Sequence, residues 1–70
     1  MKYAVVIEKG ENNFSAYVPD LPGCVAAGDT VDEAERLIRE AIEIHIRGMR
    51  EDGLEMREPI SLAREVDVVA

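Results

Sequence analysis

The segment from Tyr17 to Ala34 constrains the fold most, because it combines a stiff corner, a short apolar run and a helix start. Pro19 and Pro22 each fix their own φ and bias the residue before them toward extended backbone. Gly23 then permits a turn that other residues resist. The segment therefore predicts two strands joined by a rigid corner, with a helix directly after the second strand.

The helix predicted after this corner runs from Val31 to Asp52 and has a signal at each end. Thr30 and Glu33 have the S/T-x-x-E spacing of a capping box, in which each side chain accepts a hydrogen bond from an otherwise unpaired backbone N–H. Gly53 stands where a left-handed residue ends a helix. These three residues are the predicted structural motif of the helix.

The apolar residues of this helix cover an arc of roughly 200°, which is wider than the arc of a little over 100° that faces a core in most helices. Ile44 and Ile46 lie on the flanks of this arc. They are therefore candidates for a second contact, either with the C-terminal segment or with another subunit.

Three strands are predicted before the helix. Residues 2–8 alternate, but both faces are largely apolar, which indicates a central strand. A polar loop at residues 9–13 leads to a second strand, in which Phe14, Ala16 and Val18 share one face. A third, shorter strand covers residues 24–27. Short connections favour an antiparallel meander of these three strands.

The C-terminal segment is predicted to add a fourth strand. Residues 54–63 read as irregular, and residues 64–70 alternate again, with Val66 and Val68 on one side. A strand, helix, strand connection is nearly always a right-handed crossover, so this strand is expected beside the first strand and parallel to it. The predicted class is α+β with the order β-β-β-α-β. Val66 and Val68 join Ile44 and Ile46 as candidate oligomer contacts.

Composition indicates the kind of partner. The chain of 70 residues has 15 acidic and 8 basic residues and a formal net charge of −7, which disfavours direct binding to nucleic acid phosphates. Such acidity fits a surface that meets a basic protein, and it equally fits ordinary solubility. Residues 1–70 form one predicted domain, whose small core makes oligomerisation a natural source of stability.

Several localisations and chemistries are disfavoured. We find neither a secretory signal nor an apolar run of about 18 residues, and we expect a cytoplasmic protein without membrane contact. His45 and Cys24, the only residues of their kinds, read as packed core residues. Glu8 is the only carboxylate of the first strand, whereas two-metal nuclease chemistry needs several converging carboxylates. We therefore predict no enzyme, with no catalytic, metal or cofactor site.

The proline corner is the remaining candidate site. Asp20, Leu21, Pro22 and Gly23 form a preordered loop, predicted to expose one apolar side chain beside one charge. Preordering lowers the entropy lost on binding, so the loop suits a partner contact. The same loop also serves as a tight reversal between two strands, and the residues alone leave both readings open.

These features together resemble the HicB-like antitoxin family of small prokaryotic proteins. The matching features, in chain order, are the first strand, the turn, the second strand with Phe14 and Tyr17, the PDLPGC corner, the GDT before the helix and the EA in its first turn. The resemblance extends from Met1 to about Met49. The predicted β-β-β-α-β order itself resembles a truncated ribonuclease H-like fold.

The resemblance implies a function as well. A member of this family neutralises a HicA-like toxin, a small basic ribonuclease that cleaves messenger RNA, by direct binding, here as a homodimer or homotetramer. Many members carry a C-terminal DNA-binding module. Only three residues follow Asp67, so we expect a single-domain member without that module. The rival expectation is a stand-alone oligomeric scaffold or small-ligand-binding module without a toxin.

Overall fold

The computed structural model describes residues 1–69, which form a three-stranded sheet covered on one face by a helix. The strands are β1 (Val6–Lys9), β2 (Phe14–Tyr17) and β3 (Val25–Gly28), paired antiparallel in the order β1-β2-β3. The helix α1 (Val31–Glu51) packs mainly against β3 and β2. The predicted α+β class, antiparallel meander and single helix are confirmed for the described residues.

The register of the sheet decides which side chains enter the core. Ile7 lies opposite Ala16, and Ala16 lies opposite Ala26, so this row faces α1. Ile38 of α1 packs onto this side of the sheet and is 1% exposed. The fully buried core is small, as expected for a short chain; it consists of Ala16, Val18, Leu21, Cys24, Ala34 and Ile38.

The start of α1 is held by side-chain caps and by a close approach of the backbone. The Oγ1 atom of Thr30 accepts a hydrogen bond from the Glu33 N–H at 3.1 Å. The Glu33 carboxylate in turn accepts from the Asp29 N–H at 3.1 Å, one residue earlier than in a standard capping box. Gly28 is buried directly beneath this turn, where a Cβ atom would lie 2.7 Å from the Ala34 nitrogen. The glycine therefore sets how closely β3 and α1 approach.

The end of α1 is a Schellman motif. Gly53 has a φ of 70°, and its N–H donates to the Arg50 carbonyl at 3.1 Å. The Leu54 N–H donates to the Met49 carbonyl at 2.9 Å. These two bonds pair carbonyls that the last turn of a helix otherwise leaves free, and they reverse the chain toward the sheet.

The first strand is shorter than predicted, and its predicted central position is wrong. Only Val6–Lys9 is paired, and β1 is an edge of the sheet. The ladder begins at the pair Val6 and Tyr17, because the chain of β2 turns away at Pro19 and leaves residues 2–5 without a partner. Tyr3, Val5 and Ile7, which alternate on one face of this segment, still pack against the core.

The predicted fourth strand is not found: residues 54–69 have no regular secondary structure. We call this segment the tail. Leu62–Glu65 line one side of an open cleft whose other side includes Val5, Val6 and Ile7, so the tail passes near β1. It has no ladder pairing with β1 in the described chain, and a strand requires backbone partners about 4.8 Å away. Ala70, the last residue of the predicted strand, lies outside the described residues.

Candidate functional site

The proline corner consists of two consecutive tight turns. The Leu21 N–H donates to the Val18 carbonyl at 3.1 Å, and the Cys24 N–H donates to the Leu21 carbonyl at 3.0 Å. Pro22 followed by Gly23 at a φ of 83° gives the second turn the features of type II. A bond of 3.2 Å from the Val18 N–H to the Cys24 carbonyl closes the loop. The corner is therefore a rigid connection between β2 and β3.

The four predicted partner-binding residues of this corner have different environments. Pro22 and Gly23 are exposed, and Asp20 is partly buried. The expectation that Leu21 is exposed is wrong, since it is 6% exposed and belongs to the core. The two turns fold the corner over the end of the sheet, and burying an apolar side chain there removes it from water.

A contact between the corner and the tail involves Asp20. Its carboxylate accepts two hydrogen bonds from Ser61, one from the backbone N–H at 3.0 Å and one from the hydroxyl at 3.1 Å. We call this contact the Asp20–Ser61 clasp. The two residues are 41 positions apart, and neither has a local pattern that marks the other as its partner. Sequence reasoning therefore missed the clasp.

The outer face of the sheet, opposite α1, carries an apolar row beside the corner. Val6 lies opposite Tyr17, and Tyr17 lies opposite Val25, so the three side chains are neighbours across the sheet. Tyr17 is 39% exposed and Val25 is 65% exposed. We call Val6, Tyr17 and Val25 the outer row. Strand alternation indicated the direction of Tyr17, but only the register shows that the three residues are adjacent.

The four candidate oligomer contacts lie on two separate elements. Ile44 on α1 is 65% exposed, whereas Ile46 is partly buried. Val66 and Val68 on the tail are both highly exposed. The apolar surface open to a second subunit is therefore larger on the tail than on the helix.

The one cysteine of the chain, Cys24, is buried. Burial raises the pKa of the Cys24 thiol, so the protonated form predominates at neutral pH, whereas a nucleophilic cysteine needs a thiolate. No group of three or more His, Cys, Asp or Glu residues within residues 1–69 is arranged to hold a metal ion. Over the same range, no helix is both long enough and apolar enough to cross a lipid bilayer.

Relatives of this chain occur in bacteria, archaea and a phage. A UPF0150 protein of Thermoplasma acidophilum is 38% identical over 71 residues and is matched along its whole length. A UPF0150 protein of Helicobacter pylori is 49% identical over 49 residues, which cover 70% of this chain and 68% of that protein. An uncharacterized 14.9 kDa protein of Haemophilus phage HP1 is 48% identical over 56 residues, which cover 80% of this chain. The matched region is 42% of that phage protein.

No solved structure shows a significant match to the chain. The family described as HicB_like antitoxin of bacterial toxin-antitoxin system matches residues 3–68, which include all three strands, the corner, the helix and nearly all of the tail. A match of this extent covers the features that define the fold and not the corner alone. The chain belongs to the HicB-like antitoxin family.

Proposed function

We propose that this chain is the antitoxin of a toxin-antitoxin pair and neutralises a small basic HicA-like toxin, an mRNA-cleaving ribonuclease, by direct binding. The observation that carries the proposal is the family match over residues 3–68. The proposed activity is binding and needs no catalytic group, metal or cofactor. Because the toxin acts on messenger RNA, the proposed location is the cytoplasm.

The charge of the chain supports a basic partner. A net charge of −7 attracts a protein whose own surface is shaped to bind RNA phosphates, and it increases the rate of encounter. The same charge repels RNA. In this proposal the chain therefore blocks the RNA-binding surface of the toxin and does not bind the RNA substrate itself. The complex is expected to weaken as salt screens these charges.

We assign the toxin contact to the outer row and to the adjoining exposed part of the corner. Val6, Tyr17 and Val25 form an apolar row on the sheet face opposite α1, and tyrosine is enriched in protein interfaces. Pro22 and Gly23 extend this surface at the end of the sheet.

The other two corner residues have a supporting role in this proposal. Leu21 anchors the corner in the core, and Asp20 binds the tail. Both contacts keep the corner in one shape before the toxin arrives, which limits the entropy lost on binding.

The test uses two charge substitutions at sites of equal exposure. Val25 and Ile44 are both 65% exposed, but Val25 lies on the sheet and Ile44 on the helix. We expect Val25→Lys to weaken binding to a purified HicA-like toxin by about tenfold or more, since it places a cation against a basic partner. Ile44→Lys adds the same charge elsewhere and serves as the matched control.

Binding is measured by calorimetry at low and high salt, and neutralisation by growth of cells that co-express the toxin. Equal weakening by both substitutions would contradict the assignment to the sheet face. Failure of the unsubstituted chain to bind the HicA-like toxin of its own host would contradict the antitoxin function. That result would favour the rival, a stand-alone oligomeric scaffold or small-ligand-binding module.

A further inference from the structure

The chain exposes more surface than a compact domain of its size. Its accessible surface is 5807 Å², whereas a folded monomer of 7.8 kDa exposes about 4,400 Å², so the excess is about 1,400 Å². Its radius of gyration is 13.6 Å, compared with about 11 Å for a compact domain of 70 residues. Much of the excess is apolar and lies in the tail, where five large side chains are at least 77% exposed: Ile60, Leu62, Val66, Val68 and Val69.

The sheet has an unpaired edge at β1, which could accept a strand such as the exposed tail. One edge of β1 has no strand partner in the described chain, and each of its faces carries one apolar residue, Val6 or Ile7, beside one charged residue. An edge strand with free backbone groups invites pairing with another strand. Because α1 lies mainly over β3 and β2, a groove of about 480 Å³ remains between β1 and α1. Its lining is mixed, with an apolar part from Met1, Tyr3, Val5, Ile7, Ile38 and Ile42 and a charged part from Glu35, Arg39 and Glu43.

The tail passes close to this edge without using it. The Asp20–Ser61 clasp holds its start, and Leu62–Glu65 then lie across an open cleft of about 800 Å³ from β1. From Val66 to Val69 the tail is highly exposed. The alternation of Glu65, Val66, Asp67 and Val68 is that of a strand with one apolar face.

We infer that two copies of this chain exchange their tails, so that residues 62–69 of each copy pair with the free edge of β1 in the other. Each copy has one free edge and one unpaired strand, so a two-fold arrangement satisfies both at once. Val66 and Val68 of one copy then enter the groove between β1 and α1 of the other. Each sheet gains a fourth strand, which completes the β-β-β-α-β order.

A second copy accounts for these features better than another protein does. A strand from a different protein would pair with the free backbone groups of β1, but it would leave the apolar side chains of the tail in water. Exchange buries both surfaces, and an excess of about 1,400 Å² per chain is ample for an interface that typically takes about 800 Å² from each partner. The outer row lies on the opposite face of the sheet from α1 and stays open for the toxin.

The first measurement is made on the isolated, unsubstituted chain. Light scattering is expected to give a mass of two or four chains, independent of any toxin. A sample mixed from isotopically labelled and unlabelled copies is then used for isotope-filtered NMR. We expect nuclear Overhauser effects between the Val66 and Val68 methyl groups of one copy and the Val5 and Ile7 methyl groups of the other, since both of these line the groove. A mass of one chain, or effects confined within one copy, would overturn the inference.

Two variants separate the tail from the helix as the interface. Val66→Asp combined with Val68→Asp should raise the dimer dissociation constant by more than about a hundredfold, because two charges would have to leave water for the part of the groove that Val5, Ile7 and Ile42 line. Ile44→Asp places one charge at an exposed helix site and should leave the mass unchanged. Circular dichroism checks that α1 is retained in both variants. Dissociation by Ile44→Asp, with the tail variant intact as a dimer, would refute tail exchange without affecting the proposed toxin binding.

Discussion

Gly28→Ala is predicted to destabilise the domain through a single added methyl group. The new Cβ atom would lie 2.7 Å from the Ala34 nitrogen and 3.0 Å from the Glu33 carbonyl carbon. Both are backbone atoms of the first turn of α1, and Ala34 is fully buried. Neither atom can move without the helix, so α1 must move away from β3 by several tenths of an ångström.

The change in the free energy of unfolding caused by Gly28→Ala is the sum of two opposing effects. Overpacking of a dense core costs about 1–3 kcal/mol. Replacing glycine restricts the unfolded chain and returns about 0.4–1 kcal/mol, so the expected net loss is about 1–2 kcal/mol. In a domain of this size each kcal/mol lowers Tm by about 4–8 °C, and we therefore expect a decrease of about 5–15 °C. Such a loss is large against a total stability of about 4–10 kcal/mol.

Gly48→Ala provides the matched control, because the same methyl group is added where no neighbouring atom lies within 4 Å. Gly48 is inside α1, where alanine is favoured over glycine by about 0.5–1 kcal/mol, so this variant should be more stable than the parent. Thermal unfolding is followed by circular dichroism at one fixed protein concentration, since self-association also shifts Tm. A Tm for Gly28→Ala equal to or above that of the parent would refute the steric argument.

Two further predictions concern the clasp and the buried thiol. Asp20→Ala removes both acceptors of the Asp20–Ser61 clasp, so the Ser61 amide hydrogen should exchange about tenfold faster by NMR; an unchanged rate would show that the clasp does not hold the tail. Burial raises the pKa of Cys24, so the thiol ionises more easily in the unfolded chain than in the folded one. The free energy of unfolding is therefore not reduced by this ionisation at neutral pH, and it decreases as the pH rises above about 8.5. Urea unfolding at pH 7 and pH 10 should therefore show a larger loss in the parent than in Cys24→Ala, and parallel losses would contradict this assignment.

The local elements of the fold were predictable because their signals lie within a few residues of one another. Thr30 and Glu33 are three positions apart and cap the same turn. Gly53 ends α1 because a φ of 70° favours a residue without a side chain. The inward face of β2 follows from alternation alone, since Ala16 is buried and Phe14 packs against the core.

Long-range features were predicted less well. The apolar composition of residues 2–8 indicated a central strand, but the position of β1 at the edge depends on which segments pair. The residues next to Leu21 in the chain do not indicate whether its side chain points outward or into the core. The two turns of the corner direct it into the core. The outer row required the register between strands, which a pattern within one strand does not contain.

The amino-acid order thus specifies turns, caps and alternating faces, because backbone preference and side-chain capping act between near neighbours in the chain. The Asp20–Ser61 clasp, the free edge of β1 and the exposed tail depend on residues that meet only after the chain has folded back on itself. Such contacts are set by competition among all the surfaces available for burial. The tail exchange proposed above extends that competition to a second copy of the chain, where the alternating tail would find the strand partner that it lacks within a single copy.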